Sequence, residues 1–277
     1  MSARPKILLL LVLLGSLVGF ALPLLFPARA QRLTFLSVGQ GDCTVWQDGA
    51  QAVLVDVGPK TKEGYDAGAR IVLPKLRRMG VNQVSLIVLT HPDSDHVGGL
   101  KAVYGRFPSA VVVISSEFKH HPQMKSWLAE AGVSNVRWVS GRVLVRLGGS
   151  SLEVAAPSLE GENDNDGSLF VRLTCGEGSA VLTGDASISV EERMENALHW
   201  KAQVLKAGHH GSRTATGASF VRSLSPNWAV ISCGRENRYG HPHESALQTL
   251  QGLGVFRTDL QGDVVFEVGA DGFRPVH

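Results

Sequence analysis

Three apolar runs in this 277-residue chain end abruptly in side chains that bind metal ions. "VSLIVLT" runs into His91, Asp93, Asp95 and His96; "SAVLTG" runs into Asp185; "AQVLKAG" runs into His209 and His210. Each run is short and rich in β-branched residues, and a helical pattern follows it, which is how the strands of an α/β sheet read. Ligands of such sheets bind beyond the carboxyl ends of the strands. The chain is therefore constrained to a fold that brings three strand ends to one place.

In "HPDSDH" the side chains of residues two apart point the same way on an extended loop, so alternate residues can converge on one ion. Neutral imidazole and carboxylate suit zinc, manganese or iron. Gly98 and Gly99 are expected to let the backbone turn tightly into the next helix. The bland reading is a polar turn in which Asp95 caps that helix, and Asp185 has the same one before a helix starting near Ile188. "KAGHHGS" offers a cation at Lys206, two imidazoles, and backbone amides at Gly211 and Ser212 for an anion. At least one of His209 and His210 is expected on metal, and the other on substrate or a proton. "GRENRYGHPHES" supplies Arg235 and Arg238 for phosphates and His241 as a general acid, or else it is an exposed loop. "NDNDGS" is turn-forming by composition. His120, His121, His199 and His277 read as surface residues.

Residues 1–30 read as an export segment: Arg4 and Lys6, an apolar run over residues 7–26, then Ala28-Arg29-Ala30. Cleaved signal peptide and uncleaved membrane anchor fit equally, and both place the rest outside the cytoplasm. Three of the 27 basic residues and none of the 25 acids lie in that segment, which leaves 24 against 25 beyond it. A polyanionic partner would thus need a local patch or bound metal. Cys43, Cys175 and Cys233 are odd in number and widely spaced; they read as buried hydrophobes, not a zinc finger or disulfide framework.

Beyond residue 30 the pattern begins with hairpins and continues with alternating strands and helices. Helices are expected near 97–106, 123–131, 188–197, 218–224 and 244–250. The order suggests an α/β (α+β) domain over residues 31–277, with two mixed sheets face to face and helices outside.

With those residues in view, the chain resembles the metallo-β-lactamase-fold hydrolases. "FLSVGQGD", "THPDSDHVGGL", "SLFVRL", "VLTGDA", "VLKAGHHGS" and "NRYGHPH" are similar, in order, to the C-terminal hydrolase domain of ComEC-type DNA-uptake (competence) proteins. The resemblance implies an αββα sandwich with two divalent metal ions, manganese or zinc, at one edge. His91 and Asp93 would face one ion, Asp95 and His96 the other, Asp185 would bridge, and His209 or His210 would complete the second site. Gln40 and Asp42 would lie near the metals and Asp56 below them. Asn165 and Ser168 match a pattern where the wider superfamily keeps another histidine. Ser37 stands where the competence proteins usually have Asp. The multi-span channel segment of the full-length proteins has no counterpart in the sequence, so a free-standing hydrolase domain is expected.

The expected activity is metal-dependent phosphodiester hydrolysis, with DNA or another phosphodiester as substrate. Lys206 would stabilise phosphoryl oxygens, His241 would protonate the leaving oxygen, and Ser212, Arg235 and Arg238 would contact substrate. Aspartate at position 93 makes one site oxygen-rich and shifts preference from zinc toward manganese. The rivals are hydrolysis of phosphorylcholine or teichoic acid, a lactone or a lactam, and a non-catalytic DNA-binding subunit.

Overall fold

The computed structural model describes residues 31–158 and 163–276, so the expected export segment lies outside the described residues. Two mixed sheets form the centre. The first has eight strands in the order β15-β14-β1-β2-β3-β4-β5-β6. These are β1 (Gln31–Phe35), β2 (Thr44–Asp48), β3 (Gln51–Val55), β4 (Gln83–Val88), β5 (Val111–Ser115), β6 (Val136–Val139), β14 (Val264–Gly269) and β15 (Gly272–Val276). The second runs β13-β12-β11-β10-β9-β8-β7. It comprises β7 (Arg142–Leu147), β8 (Ser150–Ala155), β9 (Phe170–Cys175), β10 (Gly178–Leu182), β11 (Val204–Lys206), β12 (Trp228–Ile231) and β13 (Gly254–Arg257).

Each sheet has an antiparallel part made by hairpins and a parallel part, β3 to β6 and β10 to β13, made by crossovers. Parallel strands need both faces covered. The inner faces bury Leu33, Phe35, Val88, Leu152, Leu173, Val204 and Phe266 between the sheets. Outside the first sheet pack α1 (Leu73–Arg78), α2 (Ser94–Val97), α3 (Leu100–Arg106) and α4 (Pro122–Ala131). Outside the second pack α5 (Ile188–Leu198), α6 (Ala218–Leu224) and α7 (Glu244–Thr249). The layers are αββα.

The runs "VSLIVLT", "SAVLTG" and "AQVLKAG" appear as β4, β10 and β11. Strands β6, β13 and β15 lack a long apolar run: Arg137 and Pro275 fall within β6 and β15, β13 opens on Gly254, and neighbouring strands stabilise all three. A helical stretch from Gly68 to Arg78 falls outside the expected helices; Pro74 stands in the first turn of α1, where proline is tolerated. All three cysteines are buried and unpaired.

Gly98 and Gly99 correct one expectation. Both have ordinary helical φ, so they do not make a tight turn. They permit contact instead: a Cβ at Gly98 would lie 2.2 Å from the Lys60 amide nitrogen, and one at Gly99 2.2 Å from the Val57 carbonyl. The β3–β4 connection thereby packs flat against the "HPDSDH" loop.

Candidate metal centre

The parallel strands β4, β10, β11 and β12 deliver four loops to one edge of the sandwich. The β4 loop carries His91 to His96, the β10 loop Asp185, the β11 loop His209 and His210, and the β12 loop His241. From the hairpin side, the Asp42 amide donates to the Asp95 carbonyl at 3.1 Å. Gly41 makes that approach possible with φ +148°; a Cβ there would lie 2.3 Å from the same carbonyl.

Asp185 is the hub. The Nε2 atoms of His96, His210, His209 and His91 lie 3.2, 3.5, 3.6 and 4.0 Å from its carboxylate oxygens. Each imidazole is fixed through its other nitrogen. His91 Nδ1 meets Thr90 Oγ1 at 3.0 Å, and His96 Nδ1 meets Asp56 Oδ2 at 2.8 Å. His210 Nδ1 donates to the Ser232 carbonyl at 3.0 Å, and His209 Nδ1 meets Thr214 Oγ1 at 3.3 Å. Outer partners that hold Nδ1 and leave Nε2 free are how ligating histidines are oriented. Asp95 Oδ2 lies 3.2 Å from His210 Nε2, and Asp93 Oδ2 lies 3.8 Å from His91 Nε2.

The donor set fits divalent cations on an observation of its own. His91 Nε2, His96 Nε2 and Asp185 Oδ1 are buried and make no hydrogen bond, although unpaired buried polar atoms are costly. They face one another as ligands around an ion do. Asp42, His96, Asp185 and His210 come within 4.8 Å of one another. Of these Asp42 stands behind the cluster: it pairs with Lys206 and approaches His210 from the Nδ1 side, at 3.5 Å.

Charge in the cluster is balanced by protons where cations would sit. Against the desolvation of burial, Asp185 and Asp42 raise His210 to about 10, and Asp185 and Asp56 hold His96 well above its ordinary value. Burial and the neighbouring His96 push His91 down to about 3. Despite burial, the His210 hydrogen bond and the charge of His96 hold Asp95 down to about 2. Burial, His210 and His209 lower His241 to about 4, so it is a neutral imidazole at neutral pH.

Neither bland reading holds. Asp93, not Asp95, precedes α2, and its side chain makes no capping bond. Ser187, not Asp185, stands at the start of α5. Gln40 bridges His241 Nδ1, at 3.3 Å, and the Gly234 amide, at 3.0 Å. Ser168 accepts the Asp185 amide at 3.1 Å and so positions that loop. A cavity of about 320 Å³ opens over the cluster, lined by Gln40, Asp93, Asp95, Asp185, His209, His210 and His241 among others.

Several expected contacts fall elsewhere. Lys206 is fully buried against Asp42 and is not among the residues lining the cavity. Ser212 turns its hydroxyl to Thr214 at 2.9 Å, and its amide donates to the His209 carbonyl at 2.8 Å, so the Ser212 amide is not free for an anion. Asn165 belongs to a 3₁₀ turn and lines no part of the cavity. His121 is partly buried and faces Asp164 at 3.1 Å. Thr90, Ser232 and Glu191 were not foreseen. Thr90 adjoins His91 in sequence, whereas a backbone carbonyl at Ser232 leaves no sequence signal.

Residues 36–235 match the metallo-beta-lactamase superfamily. The chain belongs to that family. It is 32% identical over 250 residues to ComE operon protein 3 of Bacillus subtilis, covering 83% of this chain and 32% of that protein. It is 29% identical over 268 residues to competence protein ComA of Neisseria gonorrhoeae, covering 95% of this chain and 36% of that one. The chain thus spans about a third of the length of these curated relatives. Among solved structures, the metallo-beta-lactamase fold protein YhfI of Bacillus subtilis superposes with a TM-score of 0.57 at 13% identity, covering 86% of this chain and 99% of that one. The protein is a metal-dependent hydrolase of this fold, related to competence proteins. Among the described residues no helix is long and apolar enough to cross a membrane.

Beneath this metallo-beta-lactamase site, Glu191 ties the His209–His210 loop to α5. Its carboxylate accepts the Thr216 and Gly217 amides at 3.1 and 2.7 Å. Burial raises it to about 7, partly offset by those amides. The fold therefore favours the protonated acid: this contribution to stability is present below the ordinary value near 4.5 and is lost as pH rises through about 7. Glu191→Gln cannot titrate. Relative to wild type, the variant is expected to gain up to about 3 kcal/mol between pH 4.5 and 8, because a tenfold change in a proton-binding equilibrium is worth ~1.4 kcal/mol. Denaturant unfolding at both pH values checks this, and a pH-independent difference would refute it.

Proposed function

We propose that the protein is a phosphodiesterase acting on DNA outside the cytoplasm, using two divalent cations held by His91, Asp93, Asp95, His96, Asp185, His209 and His210. The observation that carries the reading is the ring of four imidazole Nε2 atoms around Asp185, flanked by the carboxylates of Asp93 and Asp95. The likeness to competence proteins supports DNA as the substrate, and the apolar run over residues 7–26 supports the extracytoplasmic placement. When bound, such cations neutralise phosphoryl charge and supply an activated water.

The chain's own residues then hold and shield. Asp56 and Thr90 keep His96 and His91 in one orientation, and Asp42 with the Ser232 carbonyl does so for His210. His241, neutral and steadied by Gln40, sits at the cavity wall where a leaving oxygen would emerge. Its role is to donate the imidazole N–H hydrogen bond to that oxygen. Oxygen ligands at Asp93, Asp95 and Asp185 favour manganese over zinc.

The test is exhaustive chelation, then add-back of manganese, magnesium or zinc, assayed on labelled DNA, a small phosphodiester, a lactam and a lactone. Activity is expected to vanish on chelation, to return most strongly with manganese, and to be confined to phosphodiesters. Turnover that survives chelation, or a lactam cleaved faster than the diester, would overturn the proposal.

A further inference from the structure

A second, larger cavity opens directly from the metal cavity. It measures about 930 Å³, against about 320 Å³ over the metals, and the two share Gln40, Ser94, Asp95, Gln123 and Tyr239. Its volume is near the top of the ~300–1,000 Å³ of sites that take a whole small molecule. One phosphodiester group beside the metals leaves most of that space unused.

Its walls carry Lys60, Lys62, Arg235 and Arg238. Lys60 pairs with Glu130 at 2.6 Å; Arg238 donates to Tyr239 Oη at 2.8 Å, with its guanidinium 5.0 Å from that ring's centre, and Lys62 and Arg238 both act on Glu63. Arg235 is different. The Arg235 Nε donates to the Asp259 backbone carbonyl at 2.8 Å, which anchors the side chain without cancelling its charge. Lys62 has no carboxylate within ion-pair distance among the described residues. Arg235 thus stands uncompensated, and Lys62 and Arg238 share one glutamate, Glu63, in a groove of a domain whose overall charge is close to neutral.

At the junction stands Tyr239, 50% exposed. Its ring stacks on His241 at 5.6 Å and 23°, and His241 stacks on His210 at 6.2 Å and 29°. The column of near-parallel rings leads from the metal cluster to the groove and ends in an exposed aromatic side chain. Flat rings beside uncompensated cations are how sequence-tolerant sites hold unpaired bases and their backbone.

We propose that this groove is the binding track for a single-stranded nucleic-acid chain on one side of the scissile phosphodiester, with Lys62 and Arg235 on backbone phosphates and Tyr239 under the base nearest the metals. This rests on the phosphodiesterase reading and adds to it a polymeric, unpaired substrate.

The test is fluorescence anisotropy with a labelled oligothymidylate and with its duplex, over a salt series, using the full chain in an Asp185→Asn background to suppress cleavage. Single strand is expected to bind more tightly than duplex. Lys62→Ala and Arg235→Ala should each weaken single-strand binding at least about fivefold and reduce the salt slope by about 0.7. Tyr239→Ala should weaken it about tenfold, and Tyr239→Phe should restore it. Arg77→Ala with Arg78→Ala removes two exposed charges from a different cavity and controls for net charge. The proposal fails if the groove variants bind as tightly as the parent, if the Arg77/Arg78 control loses as much, or if duplex wins and Tyr239→Ala is silent. Binding as expected, together with no metal-dependent cleavage of any diester, keeps the groove and removes the phosphodiesterase reading. Cleavage of diesters with unaltered binding in the variants removes the groove alone.

Discussion

Asp185→Asn is expected to abolish metal-dependent hydrolysis, lowering kcat/KM at least about a thousandfold, well beyond the ~10–100-fold that follows loss of an outer hydrogen-bond partner. Four imidazoles face this one carboxylate, and the carboxylate is ionised: despite its burial, His96 and His210 hold it well below the usual range. Asparagine keeps the shape and removes the charge. The cluster then has four imidazoles around an amide that offers no negative charge to a cation. Metal content by mass spectrometry should fall with activity, while the Asp185 amide bond to Ser168 keeps the loop in place. Asp56→Asn makes the graded comparison. It weakens the His96 Nδ1 hold without removing a ligand, so a loss within the smaller range is expected. An Asp185→Asn protein with full metal content and half its activity would show that the carboxylate is a bystander.

Why Asp185 was readable in the sequence, and Thr90 and Ser232 were not, follows from what each contributes. Asp185, His96 and His210 end apolar strands, and a charged side chain at a strand end has few structural reasons to be there. Gln40, Asp42 and Asp56 were placed through a family likeness, because nothing local marks them. Ser232 acts through its carbonyl, which every residue has. Lys206 shows the opposite failure. A lysine shortly before a histidine pair reads as a phosphate ligand, but it is the last residue of β11, its side chain points inward, and the nearest anion is Asp42. Side-chain direction at a strand end is decided by register against β10 and β12, which the local sequence does not encode. The groove was legible only in part: Arg235 and Arg238 were marked and Tyr239 adjoins them in sequence, while Lys62 and Trp127 join them only through tertiary packing.

The buried Lys206–Asp42 pair carries the second large effect. Both side chains are almost wholly enclosed, at 1% and 2% exposure, and Asp42 also approaches His210. Removing one partner strands the other, which costs about 3–5 kcal/mol in buried pairs. Lys206→Met is therefore expected to lower unfolding free energy by that amount and to loosen His210. Asp42→Leu combined with Lys206→Met should recover most of it, since replacing both charges with apolar groups is often close to neutral. The pH signature separates this pair from Glu191. Despite burial, Lys206 and His210 depress Asp42, so its contribution is present above the ordinary carboxylate range and is lost only as pH falls through a still lower value. Asp42 likewise raises Lys206 against burial, so that contribution is present below about 10.5 and is lost only as pH rises beyond it. The deficit of Lys206→Met should then be constant between pH 5 and 9, where the Glu191→Gln difference changes. If Lys206→Met unfolds like wild type and only kcat falls, Lys206 reaches the substrate, and its burial against Asp42 does not describe the working enzyme.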